Sequence, residues 1–172
     1  SVSWGGGSAG GTDHILAGLI AKAAGVDPTK VNYIAFSGGG EALAAILGNQ
    51  VTVGVSGLGE FESQIASGTL RLLAVSGEER AAGFDAPTLK EAGLDVSLEN
   101  WRMVAAGPDL TPEQVAAITA DIEKLATSDA WKQELKTRGW DDRFLAGPEF
   151  QKQLAADIEA VKVILTDIGL VQ

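Results

Sequence analysis

Hydrophobic and polar positions along the first half of the chain follow two alternating periods. Ser1–Trp4 switches from polar to apolar residue by residue, as a half-buried strand does, and runs into Gly5-Gly6-Gly7-Ser8-Ala9-Gly10-Gly11. From Thr12 the period lengthens to 3.6 residues. Ile15, Leu16, Leu19, Ile20 and Ala23 share a helix that Gly25 stops. Val31–Phe36 predicts a second strand, broken by Ser37-Gly38-Gly39-Gly40, and Glu41–Leu47 a helix with Leu43, Ile46 and Leu47 on one face. Val51–Val55 predicts a third strand, followed by Ser56-Gly57-Leu58-Gly59 and a short helix carrying Phe61 and Ile65. Leu70–Val75 is almost unbroken in its apolar character, the pattern of a strand covered on both faces.

After Glu78 the pattern loosens. Pro87 precedes a short Leu89–Ala92 helix that Gly93 ends, and Asn100–Ala106 predicts a strand closed by Gly107-Pro108. From Thr111 the chain reads as helical. Thr111-Pro112-Glu113-Gln114 is a capping box with proline at the first helical position, and Val115, Ile118, Ile122 and Leu125 form the buried stripe. Ser128 caps a helix bearing Trp131 and Leu135 that Gly139 ends, and Asp142–Leu145 has the character of a short strand. A final helix from Pro148 sets Phe150, Leu154, Ile158, Val161, Leu165 and Ile168 on one side. Trp131 and Trp140 are expected in the core.

Strand–loop–helix alternation implies parallel strands with crossover helices, hence an α/β fold. The change of character places a boundary near residue 98. Residues 1–98 are expected to form an α/β lobe, and residues 99–172 a hinge strand and a mainly helical part.

Composition narrows the chemistry. There are no cysteines and one histidine in 172 residues, so neither a disulfide scaffold nor a cysteine or histidine-rich metal site is available. No apolar run reaches the roughly 18 residues that span a bilayer. Net charge is −10, with 5 basic and 10 acidic side chains in residues 1–98 and 8 and 13 in residues 99–172. With neither part basic and no Lys/Arg run, nucleic acid and anionic membranes are poor partners and are not expected.

An anionic ligand is compatible with that charge if backbone holds it. A strand that ends in consecutive Gly and Ser and enters a helix at Thr12 presents amide N–H groups where the positive end of the helix dipole lies. Ser8, Ala9, Gly10 and Thr12 are therefore candidate anion ligands, against the alternative of a tight turn that binds nothing. Ser37 and Gly38, and the loop from Ser56 to Gly59, open helices in the same way, and in a parallel sheet all three loops leave the same edge and converge on one crevice. His14, in the first turn of the first helix, either donates to a ligand or plays a structural part. Trp101 and Arg102 stand at the boundary, where they either close over a ligand or anchor a hinge.

Catalytic motifs are weak. Gly5-x-Gly7-x-x-Gly10 matches a dinucleotide fingerprint, but five glycines in seven residues satisfy it by chance, and the acid about 20 positions on would be Asp27, beside Pro28. No Gly-Lys-Ser/Thr triplet occurs, and Ser8 lacks the spacing of a nucleophile elbow. No catalysis and no cofactor are expected. The competing readings are a nucleotide-dependent α/β enzyme using the Gly5–Gly10 loop for phosphate, and a fragment that serves only in association.

Several segments, in order, resemble a known family. Val2-Ser3-Trp4-Gly5-Gly6-Gly7-Ser8-Ala9-Gly10-Gly11-Thr12-Asp13-His14-Ile15-Leu16-Ala17-Gly18 is similar to the start of the second lobe of the tripartite tricarboxylate transporter receptors, the TctC or Bug-type solute-binding proteins. Tyr33–Ala42, Ser67–Ser76, Pro87–Gly93, Asn100-Trp101-Arg102 and the Phe150–Gly169 helix follow in the family's order. The resemblance implies a periplasmic-binding-protein type II-like lobe with a parallel-rich sheet and flanking helices, and a helical C-terminal half that belongs to the other lobe. It also implies a periplasmic receptor delivering a small mono- or dicarboxylate to the membrane subunits of a tripartite transporter. In such a receptor the amides of Ser8, Ala9, Gly10 and Thr12 hold the carboxylate, with Ser37 and Gly38 beside them. The family's N-terminal lobe strands have no counterpart in this chain. The closing helix is therefore expected to be without its usual support, and the chain either to self-associate or to accompany the missing segment.

Overall fold

The computed structural model describes residues 2–171. Its elements in order are β1 (Ser3–Gly6), α1 (Thr12–Ala23), a single 3-10 turn (Pro28–Lys30), β2 (Asn32–Ala35), α2 (Gly39–Leu47), β3 (Val53–Gly54), α3 (Leu58–Ala66), α4 (Pro112–Ala126), α5 (Asp129–Arg138) and α6 (Gly147–Asp167). The sheet order is β2-β1-β3, and both pairings are parallel, with Trp4 opposite Tyr33 and Val53, and Gly6 opposite Ala35. Each strand is followed by a helix, which is the α/β alternation expected of the sequence.

Contacts divide the chain into two compact units. One comprises residues up to Asn100 together with those from Ile158 onward, and the other Trp101–Asp157. In the first unit, Ile15 of α1, Ile164 of α6 and Ile168 just beyond it form a buried cluster, with Leu19, Leu98, Val161 and Leu165 around it. Gly18 makes the close approach possible: a Cβ there would lie 2.5 Å from Ile168 Cγ2. Lys22 and Asp167 pair at 2.5 Å on the exposed side of this contact. The end of the closing helix thus buries Ile164 and Ile168 against α1. Ile164, outside the expected stripe, is the deepest of them at 2% exposure, and Ile158, within that stripe, is exposed.

In the second unit the capping box at Thr111 is complete, its hydroxyl accepting from the Gln114 amide and the Gln114 side chain accepting from the Thr111 amide. Ser128 caps α5, and Gly139 ends it in a left-handed conformation. Trp101 packs edge-on against Phe150 and donates its indole N–H to Asp157 at 2.8 Å.

Four expected elements do not form. Among the described residues Leu70–Val75 has no strand partner beyond one parallel bridge from Val75 to Thr88, and Leu73 is 61% exposed, so this run is not covered on both faces. Asn100–Ala106 is likewise irregular, with Met103 and Val104 in solvent: strand-forming residues make no strand without a ladder to join. Asp142–Leu145 is irregular, and the Asp142 carboxylate accepts from the Phe144 amide in a local turn. Leu89–Ala92 closes as a single hydrogen-bonded turn. Trp140 is exposed, with the Arg138 guanidinium 5.1 Å from its ring centroid.

Candidate functional site

The carboxyl ends of β1, β2 and β3 lie along one sheet edge, and the loops that leave them meet there. A Cβ on Gly6 would come within 2.5 Å of the Tyr33 hydroxyl and 2.9 Å of the Val55 carbonyl, so only glycine lets the first loop pass between β2 and the segment after β3. Likewise a Cβ on Gly39 would collide with Glu60 and with Ser56 Oγ, bringing the second and third loops into contact.

Side chains of the same unit fix the first loop closely. The Gly7 amide donates to Asp13 Oδ2 at 2.7 Å, and the Gly7 carbonyl accepts from the Tyr33 hydroxyl at 2.8 Å. The Gly10 amide donates to His14 Nδ1 at 3.1 Å, and the Gly11 amide to the Ser8 carbonyl at 2.9 Å. Gly10 takes φ +76°, a conformation glycine adopts without strain. Gly11 then caps α1 without any side-chain acceptor. The amides of Ser8, Ala9, Thr12, Asp13 and His14 have no acceptor among the described residues. Ser8 and Ala9 are exposed and Thr12 half-buried. These open donors gather at the positive end of a 12-residue helix.

The second and third loops carry acceptors of their own. The Ser37 amide donates to Glu41 Oε2 at 3.0 Å, Gly38 is the residue before α2, with its carbonyl accepting from Ala42, and the Ser56 hydroxyl donates to Glu60. The Ser37 amide is therefore already engaged, in contrast to those of Ser8 and Ala9.

Burial pushes the Asp13 carboxyl up from its ordinary value; the Gly7 amide opposes that shift and nearby Glu60 reinforces it. Burial also raises the Tyr33 hydroxyl, helped by Asp13, and lowers His14 toward the neutral imidazole. His14 and Tyr33 stack with centroids 4.2 Å apart and 9° between their planes. Asp27 caps the 3-10 turn ahead of β2 by accepting from the Thr29 amide and hydroxyl, and so does not stand at a strand end. Among the described residues no group of three His, Asp or Glu is placed to hold a metal, and no helix is long and apolar enough to cross a membrane.

A family model described as the tripartite tricarboxylate transporter family receptor, TctC, matches residues 1–170. The chain belongs to this receptor family. A UPF0065 protein of Bordetella bronchiseptica is 39% identical over 101 residues, which is 54% of this chain and 30% of that protein. Protein BugT of Bordetella pertussis is 26% identical over 132 residues, 76% of this chain and 40% of that protein. The chain thus spans less than half the length of these curated relatives. Among solved structures, a TctC solute-binding protein from Polaromonas without ligand is 30% identical with a TM-score of 0.76, over 96% of this chain and 57% of that one. R. palustris Rpa4515 with adipate superposes with a TM-score of 0.81 at 20% identity, over 98% of this chain and 56% of that one, a likeness of fold alone.

The TctC family is one of solute-binding receptors, not of enzymes. The sequence pattern singles out the loop and His14 but not Asp13 and Tyr33, whose side chains also tether the loop. Asp13, at the second helical position behind a glycine run, was the available signal, as was Tyr33, the one tyrosine in the chain.

Proposed function

We propose that this chain is the ligand-holding part of a periplasmic receptor that takes up a small carboxylate and delivers it to the membrane subunits of a tripartite transporter. The carboxylate sits on the backbone amides at the start of α1, contributed by Ser8, Ala9 and Thr12, with Gly10 and His14 beside them and Ser37 and Gly38 on the neighbouring loop. One observation carries this reading: a closely tethered glycine loop leaves five neighbouring amides at a helix N-terminus without acceptors among the described residues. The donors are backbone, so the site needs no Lys or Arg and tolerates the chain's net charge of −10. The adipate bound by Rpa4515 is a ligand of the same chemistry.

Thermal shift against a panel of C3 to C6 mono- and dicarboxylates, with NAD and ATP alongside, tests the proposal. A carboxylate at 100 times its Kd stabilises by about 2.7 kcal/mol, a shift of several degrees. Stabilisation by a carboxylate and by neither nucleotide is expected. Stabilisation by NAD or ATP alone would establish the nucleotide-binding reading instead.

A further inference from the structure

His14 occupies the third position of α1, from which a side chain reaches back past the helix start. Its Nδ1 accepts from the Gly10 amide at 3.1 Å. An imidazole nitrogen accepts only while it carries no proton, so this contact requires the neutral ring with its proton on Nε2. The ring is held in place by its stack on Tyr33, which is itself tied by its hydroxyl to the Gly7 carbonyl. The chain's one histidine therefore engages an amide that lies between the open amides of Ser8 and Ala9 and those from Thr12 to His14, with the Gly11 amide held by the Ser8 carbonyl.

We propose that His14 is a proton-operated clasp on the ligand loop: the neutral ring holds the Gly10 amide, and the imidazolium releases it to a carboxylate ligand while adding a positive charge beside that ligand. This rests on the carboxylate reading above. Protonation turns Nδ1 from an acceptor into a donor, which sets two N–H groups against each other. The Gly10 amide then needs another acceptor, and a ligand carboxylate supplies one. The same anion offsets the cost of placing a cation at the positive end of a helix.

Burial favours the neutral ring, which keeps the clasp closed at neutral pH. The titratable groups around it are few. Tyr33 of β2 is stacked on it and stays protonated; Asp13 of α1 turns its carboxylate to the Gly7 amide; Glu60 of α3 acts on Asp13. From the C-terminal segment, Leu165 and Leu170 flank Gly10, and neither titrates. Ligand capture accordingly takes up a proton, and affinity rises as pH falls through the ligand-bound His14 midpoint and levels off below that of the free ring, which burial holds under the ordinary 6.5.

NMR on the full chain tests this, because a single imidazole gives ring signals that need no assignment, with adipate as the probe anion. Without adipate, the Gly10 amide and the His14 ring are expected to titrate together. Adipate is expected to raise their common midpoint. By calorimetry, adipate affinity between pH 7.5 and pH 5.5 should change in favour of the acid side by about threefold or more relative to a His14→Asn variant. Asparagine keeps an acceptor near the position of Nδ1 but does not titrate, and adipate's own ionisation is common to both proteins, so the difference isolates the imidazole. A Gly10 amide indifferent to the His14 titration overturns the clasp, as does an identical pH dependence in the two proteins. Adipate that binds at neither pH counts against the carboxylate reading, and the co-titration then decides the clasp by itself.

Discussion

Replacing Gly18 with alanine sets two effects of known sign against each other. In an open helix the substitution stabilises by about 1 kcal/mol, because glycine is the poorer helix former. Gly18 is buried on α1, however, and the new Cβ would lie 2.5 Å from Ile168 Cγ2 and 3.5 Å from Ile164 Cδ1. Isoleucine is branched at Cβ, so Cγ2 cannot swing aside without changing the whole rotamer. Overpacking of this kind costs about 1–3 kcal/mol, which exceeds the helical gain. Gly18→Ala is therefore expected to destabilise the first unit by about 1 kcal/mol. Ile168→Ala removes the colliding methyl, and in that background Gly18→Ala should stabilise by up to about 1 kcal/mol. Hydrogen exchange of the α1 amides reads this locally, with urea titration as the global check. A Gly18→Ala variant that is more stable than the parent, and additive with Ile168→Ala, would refute the seating of the chain's end on α1.

Gly6→Ala should abolish carboxylate binding and cost about 1–3 kcal/mol, since its Cβ meets the Tyr33 hydroxyl and the Val55 carbonyl; calorimetry and urea titration measure both. The raised Asp13 carboxyl binds its proton more tightly in the folded chain than in the unfolded one. Its contribution is thus fully favourable below the ordinary value of 3.8 and is lost as pH rises through the higher folded value. Asp13→Asn, which keeps an acceptor for Gly7, should gain stability relative to the parent as pH rises across that window; a difference independent of pH would contradict it. Thr111→Ala removes one half of the capping box and should lower the stability of the second unit by about 1 kcal/mol, measured by urea titration.

The elements around the first loop were legible because their signals are local. A change of period at Thr12, a glycine run before it and β-branched residues in Val31–Phe36 suffice to place β1, α1 and β2. The Leu70–Val75 and Asn100–Ala106 runs misled for the opposite reason: composition says that a segment suits a sheet, but whether a neighbouring strand is there to pair with is a tertiary fact. The site divides in the same way. That amides gather at the start of α1 follows from sequence order. Which of them stay open depends on Asp13 and His14 reaching back to Gly7 and Gly10, and on a sheet register that sets Tyr33 opposite Trp4 and within reach of Gly7. No spacing rule encodes that contact across 26 residues. The closing helix has one apolar stripe in its sequence pattern, but its end also turns Ile164, off that stripe, to α1, using the gap that Gly18 leaves.

The most direct test of the account is a crystal structure of the chain grown with excess adipate. The account predicts a carboxylate group at the N-terminus of α1, within hydrogen-bonding distance of the Ser8, Ala9 and Thr12 amides. Adipate bound elsewhere on the molecule, with only water on those amides, would contradict it.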